Sequence, residues 1–464
     1  MKKQLAGVLC ACFLLSGCGA SADQESISFT VSHTYDYYKQ AVELYNQSHE
    51  IPVQMENFDL VVSSTGMTSP SGNSVTSDED GAEEAVRPWM DLKFENYEKM
   101  VQTGLLSGNG YDIIDMSGLD YEKYAEKGLL VNLDDLIAAD PDFDWDEYDK
   151  SLIDRFRSDD GLFVLPISAS TETIAVNADL FQELGIPLPK DGLPWEELLS
   201  MARQVSEARE AGKTEAYPFM KSVSYDKLSI EMFDRMLRSE LYTTWIDREA
   251  KTHRFGTEEF LQTLEMFRQF DEPGLCSPDT EIGAGDYQKT LTDRAFVNLE
   301  LLTYENSYEK QFLGDWEFLG EPRLAKQGQV SSPLYARYYA ISKDSPYIEE
   351  SWEFLKALIS PEMQSIIGKM GMESTYYDFP IHLPSRAALR EEQLALSVQN
   401  EAPMTIEDAA QIDTLLANAM PDPQGDNKLR QAVLLEAEKF FLGQKTAEQA
   451  VEQICERVEL YLHE

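Results

Sequence analysis

The sequence predicts a two-domain α/β protein, and three observations carry that expectation. Strand-like and helix-like runs alternate from residue 27: Ile27–Val31, a helix marked by Tyr38, Ala41, Val42 and Tyr45 at 3.6-residue spacing, then Ile51–Asn57. At 464 residues with 43% apolar content, the chain can bury two cores. Finally, the stretch Leu162–Phe181 (LFVLPISASTETIAVNADLF) reads as two short strands, Leu162–Ile167 and Ile174–Val176, joined by small polar residues from Ser168 to Thr173. A chain can leave one domain for another through such a crossing, because hinges sit at a few element-ending positions that absorb backbone rotation. An ordinary strand-loop-strand inside one domain reads the same way.

The first 18 residues stand apart from the fold. Lys2 and Lys3 precede an apolar run from Leu5 to Leu15, too short to span a bilayer as a helix, and Leu15-Ser16-Gly17-Cys18 follows. Small residues directly before a cysteine fit a bacterial lipoprotein signal that is cut before Cys18, with the Cys18 thiol acylated. The alternative is a secretory signal with a chance cysteine. A diacylglycerol thioether plus an N-acyl chain suffices for stable attachment, which makes residues 19–26 a tether and the lipid the sole membrane contact. The formal charge is −44, and loss of Lys2 and Lys3 with the leader takes it to −46. That charge argues against nucleic acid or anionic membrane surfaces as partners. Cys10 and Cys12 also leave with the leader, so Cys276 and Cys455 remain beside the anchor, either as a pair or as two buried thiols.

The remaining elements follow in order. Phe58 to Pro88 is rich in Ser, Thr, Gly and Asp and reads as a long surface loop. Phe94, Tyr97, Val101 and Leu105 resume helical spacing, Gly108 and Gly110 stop it, and Tyr111–Met116 is a third strand. Loops at the carboxyl ends of such strands bind ligands in open α/β sheets, which singles out Ser32 to Asp36 and Met116 to Asp120. Beyond the crossing, Asn177 precedes a helix at Ala178–Leu184, and further helices are expected at Trp195–Ala208, Asp226–Ser239, Thr257–Phe270 and Ile348–Leu358. Strands are expected around Tyr217–Met220, Ala295–Leu302 and Arg337–Ser342, and the end from Asn427 is helical. Trp195 and Trp352 sit on helix stripes as core residues.

Catalytic and metal-binding motifs do not emerge. The chain has no GxSxG, P-loop, HExxH or CxxC, and its histidines (His33, His49, His253, His382, His463) lie far apart. Asp140, Asp142 and Asp144 alternate as in a calcium loop. Such a loop needs glycine where Trp145 stands and a bidentate glutamate where Ser151 stands, so the run reads as an acidic connector. No cofactor is expected.

Four segments, together with the lipoprotein signal, resemble the extracellular solute-binding lipoproteins of bacterial ABC importers, in the family of sugar-binding proteins similar to maltose-binding protein. They are GYDIIDMSGLDYEKYAEKGLLVNLDDL (110–136), DGLFVLPISASTETIAVNADLFQELGI (160–186), YYAISKDSPYIEESWEFLKALISPEMQ (338–364) and FFLGQKTAEQAVEQICERVELYL (440–462). The resemblance implies a two-lobed periplasmic-binding-protein-like fold of type II, with a ligand cleft between the lobes. Lobe 1 would comprise residues 27–168 plus about 337–378, and lobe 2 residues 169–336 plus about 379–464. It implies a monomer that captures a sugar or oligosaccharide without catalysis and hands it to permease subunits. Rival readings are a ligand-presenting sensor lipoprotein and a lipid-anchored glycan hydrolase. The family's ligand positions fall on His33, Tyr35 and Asp36, on Met116 and Asp120, on Ser168, Ser170 and Thr171 at the crossing, and on Tyr217, Phe219, Leu302 and Tyr304 in the second lobe. Many relatives carry Gly-Pro-Trp where this chain has Leu301, Leu302 and Tyr304, which removes the usual stacking tryptophan. Tyr217, Phe219 and Tyr304 are equally readable as core residues.

Overall fold

The computed structural model describes residues 25–32, 36–58, 67–68, 74–75, 96–190, 192–220, 225–248, 250–278, 294–299, 316–324, 332–371, 379–397, 405–421 and 427–463. Cys18 and most of the loop expected after Phe58 lie outside them. The first sheet begins with β1 (Ile27–Val31), β2 (Val53–Asn57) and β3 (Ile113–Asp115), and both β2 and β3 run parallel to β1. Helix α1 (Asp36–Asn46) returns the chain between β1 and β2, and α2 (96–107) precedes β3. The alternation of apolar and polar residues that predicted these elements is the alternation of their buried faces. Ile27, Phe29 and Val31 are wholly buried, as are Tyr38 and Ala41 on the inward stripe of α1.

The crossing is more ordered than its composition suggests. Ser168 to Thr173 was expected to be a loop, yet β4 spans Leu165–Thr171 and β5 spans Thr173–Asn177, with Glu172 as the one residue between them. The correction has a physical reason. Strand β8 (Pro333–Ile341) lies antiparallel to β4 from Leu334↔Thr171 to Tyr339↔Leu165, and β9 (Phe379–Pro380) covers the other edge at Ala169 and Ser168. Small Ser and Ala side chains extend readily once both neighbours supply ladder partners. The first sheet thus reads β9-β4-β8-β3-β1-β2, with β10 (Met420–Pro421) pairing β8. The second sheet is β6 (Phe296–Leu299), β5 and β7 (Trp316–Leu319) in the order β6-β5-β7, all antiparallel.

Two separate apolar cores follow from this division. The first gathers residues from Ile27 to Ala169 with Leu334 to Ile367, joined by Ala175, Trp316 and Phe318 of the second sheet, while the second gathers Ile174, Val176 and Leu319 with residues from Leu180 to Phe296 and from Leu429 to Leu462. Helix Ala178–Leu184 forms where expected, capped by Asn177 and stopped by Gly185 at φ 67°, where a side chain would be strained. Helices α3 (Tyr121–Glu126), α4 (Trp195–Glu210), α5 (Leu228–Glu240), α6 (Glu258–Arg268) and α7 (Ile348–Leu358) complete the layers. Trp195 and Trp352 are core residues, as their stripes predict.

One expected boundary moves. Residues from about 379 onward were assigned to the second lobe, but Ile381, Leu389, Leu415, Leu416 and Ala419 pack into the first core. The chain joins the second core only from Leu429, in α8 (Asn427–Phe441) and α9 (Ala447–His463). The acidic run works as local caps. Asp144 accepts from Asp146 N, Asp149 accepts from Leu152 N, and Asp140 takes Trp352 Nε1 at 3.0 Å and Lys356 Nζ at 2.5 Å. Cys276 and Cys455 are half-buried and form no disulfide with each other.

Candidate functional site

Asp115, at the carboxyl end of β3, ties the first sheet's two ligand-side loops together. Its Oδ2 accepts from Ser32 N at 2.9 Å and Ser32 Oγ at 2.6 Å, and its Oδ1 accepts from Ser117 N at 3.0 Å. Its backbone is held as well: the amide donates to Thr30 Oγ1 and the carbonyl accepts from Tyr97 Oη at 2.7 Å. Ser117 Oγ in turn accepts from Tyr338 N on β8 at 3.1 Å. A carboxylate with three donors, itself buried, fixes the loops after β1 and β3 against each other and against the strand that returns from the second lobe. Beside it, Tyr339 Oη donates to Tyr38 Oη at 2.5 Å, and the Tyr37 and Tyr38 rings lie 4.2 Å apart. Burial pushes the Tyr38 phenol well above its ordinary range, partly countered by the charge of Arg337.

The sequence-predicted residues fall in several settings. Asp36 is exposed in the first turn of α1 and pairs with Lys39 at 2.8 Å. Asp120 is half-buried and caps α3 by accepting from Lys123 N, whereas Met116 is wholly buried in the first core. Ser168, Ser170 and Thr171 are buried along β4, where Thr171 Oγ1 donates to the Pro333 carbonyl at 2.9 Å. Tyr217 is half-buried, with the Arg209 guanidinium 3.7 Å from its ring centre and donating to its hydroxyl at 2.7 Å. Phe219 stacks on Phe296 at 5.2 Å inside the second core. His33, Tyr35, Leu302 and Tyr304 lie outside the described residues. The structure therefore gathers the residues around Ser32, Asp115 and Ser117 at one end of the first sheet, beside the crossing strands β4 and β8.

A buried charged cluster at the crossing was not foreseen. Glu172 accepts from Arg238 Nη1 on α5, and from Tyr335 Oη on β8 at 2.8 Å. Its second oxygen has no hydrogen-bond partner among the described residues and lies 3.9 Å from Arg235 Nη2. Arg235 also pairs with Glu321 and donates to the Thr173 carbonyl at 3.2 Å, and Arg238 pairs with Asp234 at 2.8 Å. Asp234 further holds Tyr225 Oη at 2.7 Å and Arg430 at 2.5 Å. Burial opposes ionisation of Glu172, but the Arg238 and Arg235 charges outweigh it and hold the carboxyl below its ordinary range. Asp234 is depressed in the same way against its own burial, by Arg430 and Arg238. Glu321 is raised, because burial there exceeds the pull of Arg235. The sequence did carry a signal: Glu231, Asp234 and Arg235 stand among Ile230, Met232, Phe233, Met236 and Leu237 on the buried part of the helix. At the surface, Lys428 on α8 meets Glu98 on α2 at 2.8 Å, an exposed pair spanning the two lobes.

Comparison with known proteins matches this arrangement. Residues 89–228 match the family model of bacterial extracellular solute-binding proteins. No curated protein matches the sequence significantly. Among solved structures, the sugar-binding protein MalE from Xanthomonas citri aligns with a TM-score of 0.61 at 15% identity, over 94% of this chain and 97% of that one. The ABC substrate-binding protein Lmo0181 from Listeria monocytogenes, solved with cycloalternan, aligns with a TM-score of 0.59 at 16% identity, over 95% of this chain and 100% of its own. The cyclic alpha-maltosyl-1,6-maltose binding protein from Arthrobacter globiformis gives 0.57 at 15% identity, over 94% and 99%. The chain thus has the two-lobed fold of the ABC substrate-binding proteins, and its residues 89–228 carry the sequence pattern of the bacterial extracellular solute-binding family.

Proposed function

We propose that this protein is the membrane-anchored substrate-binding subunit of an ABC importer, held outside the cytoplasm through lipid on Cys18. It captures a sugar or oligosaccharide between its lobes and passes it to a permease, without turnover. The observation that carries this reading is the pair of loops pinned by Asp115 at the carboxyl ends of β1 and β3, where open α/β sheets bind ligands, directly beside the crossing strands. His33, Tyr35, Asp36 and Asp120 would serve from the first lobe, Ser168, Ser170 and Thr171 from the crossing, and Tyr217, Leu302 and Tyr304 from the second, while Met116 and Phe219, buried in the two cores, would support the site from behind. Lobe closure follows from the solute's higher affinity for the closed state. Hydroxyl-rich ligands suit serine, tyrosine and carboxylate partners, and a site built on such bonds rejects ligands lacking them.

A thermal-shift screen tests the reading. A ligand at a hundred times its dissociation constant adds about 2.7 kcal/mol, and for lobes of this size each kcal/mol moves the midpoint by roughly 2–4 °C. A glycan ligand should therefore raise the melt by several degrees. The acidic charge makes a polyamine the sharpest competitor, so a shift with spermidine and none with any glycan overturns the carbohydrate assignment.

A further inference from the structure

Arg337 of β8 stands on the ligand side of the first sheet, although the candidate contacts above do not include it. Side chains alternate across a strand, so the direction of one fixes that of its neighbours two residues away. Tyr339 faces α1, where its hydroxyl donates to Tyr38 Oη at 2.5 Å. Arg337 and Tyr335 therefore share that face. The ladder slips between Arg337 and Tyr338, but the extra residue is Ile167 on β4, which leaves the alternation of β8 intact. Burial follows the same rule: Tyr335 and Arg337 are half-buried, while every other residue of β8 is buried.

Register places Arg337 at the proposed cleft. β3 ends at Asp115, which pairs Tyr339, and β8 extends past that end as far as Thr171 on the crossing. Arg337 is the first residue on the α1 face beyond it. On one side, Arg337 lies directly opposite Ser168 and Tyr335 directly opposite Ser170, both candidate contacts. Paired residues of an antiparallel ladder hold their Cβ atoms about 4.5–5.5 Å apart on one face. On the other side, the adjacent Tyr338 donates its amide to Ser117 Oγ at 3.1 Å and accepts from Met116 N at 3.0 Å, which holds the loop after β3 beside Arg337. Ser168 and Ser170 are buried, so Arg337 and Tyr335 form the exposed part of this floor. Tyr335 Oη is engaged with Glu172 at 2.8 Å. A guanidinium carries five N–H donors in one plane, so a neighbour that bonds one edge leaves another for a solute.

We propose that Arg337 contacts the solute in this cleft, and that the group it takes is a sugar carboxylate, as in a uronic acid. The inference rests on the proposed capture of a carbohydrate and names its class. A guanidinium fork matches two coplanar oxygens bidentately, a fit that a carboxylate completes and a lone hydroxyl does not. The acids on the flanking strand ends are held by donors of their own: Asp115 accepts from Ser32 and Ser117, and Glu172 from Arg238 and Tyr335. The chain's acidic exterior opposes such a ligand only at short range, because salt screens exposed charges beyond about 8 Å.

Titration calorimetry of the full chain tests it, with mono- to trimeric galacturonate and glucuronate, their methyl esters, and neutral maltose, xylan and cellulose oligomers of similar length. The acid should bind at least about tenfold tighter than its ester, the scale of a hydrogen bond to a charged group. Arg337→Gln should erase that preference, and Arg337→Lys, which keeps the charge without the fork, should retain part of it. Both variants should melt with the wild type when no ligand is present, which separates a lost contact from a damaged fold. Equal binding of acid and ester, binding of neutral oligomers alone, or a preference that survives Arg337→Gln overturns the inference and leaves sugar capture standing. Failure of every sugar to bind overturns the carbohydrate reading and the inference with it.

Discussion

Replacing Arg238 with methionine removes one cation from a cluster whose carboxylates have almost no solvent to compensate the loss. Arg238 faces Glu172 and Asp234, whose side chains are 1% and 2% exposed. Asp234 keeps Arg430, but among the described residues Glu172 retains only Tyr335 Oη and the more distant Arg235. Breaking a buried pair by removing one partner costs about 3–5 kcal/mol, because the other charge stays buried. At roughly 2–4 °C per kcal/mol, the melt should fall by about 6–20 °C. Equilibrium urea unfolding, read by circular dichroism, gives the free energy directly. The double variant Glu172→Leu with Arg238→Met should recover at least half of the loss, since apolar groups of similar volume often replace a buried pair at little cost. The acid limb supplies a second reading. Glu172 and Asp234 titrate below their ordinary range, so their contribution is present above the unfolded value of about 4 and is lost as pH falls through their folded values. Glu321 has the opposite sign: its contribution is present below the unfolded value and is lost as pH rises through the raised folded one. The double variant should therefore lose less stability on acidification than the wild type. A single-variant cost under about 1 kcal/mol, the scale of an exposed pair, would refute the reasoning.

Three further outcomes are expected. Asp115→Ala removes the carboxylate that accepts from Ser32 N, Ser32 Oγ and Ser117 N, costing about 1–3 kcal/mol in a melt, and it should weaken binding of whichever solute the screen identifies. Cys18→Ala should release the protein into the medium or leave it unprocessed, read by fractionation and mass spectrometry. A wild type that is soluble and unlipidated in its own host removes the anchor. Saturating ligand should lower the radius of gyration in X-ray scattering, and an unchanged profile counts against closure.

The sequence revealed most where burial alternates along one element. Ile27–Val31, Ala178–Leu184 and Ile348–Leu358 were placed as observed because each couples one apolar face to a clear start or stop. Ser168 to Thr173 misled because small polar residues ordinarily signal a loop, and their extended form is imposed by β8 and β9 from far along the chain. The same limit applies to residues 379–419, whose local pattern forms helices without saying which core receives them. Asp115 falls inside the expected strand Tyr111–Met116 without being singled out there, since a buried acid is recognisable only once its donors are in place. Tyr217 and Phe219 separate in the structure, one under an arginine and one inside a core, although each reads as an aromatic in the same short strand.

The placement of β8 between β3 and β4 has a consequence for how the chain is made. Until residue 341 leaves the ribosome, the first sheet lacks its central strand: β3 has β1 alone beside it, and β4 has neither of its partners, β8 and β9. The second core likewise waits for Leu429 to Leu462. Contacts this distant in sequence make folding slow, because loop closure is charged before the pairing rewards it. Under the proposed export that delay is useful: a translocation channel passes unfolded polypeptide, and a protein whose lobes both close late stays threadable while the expected leader is engaged.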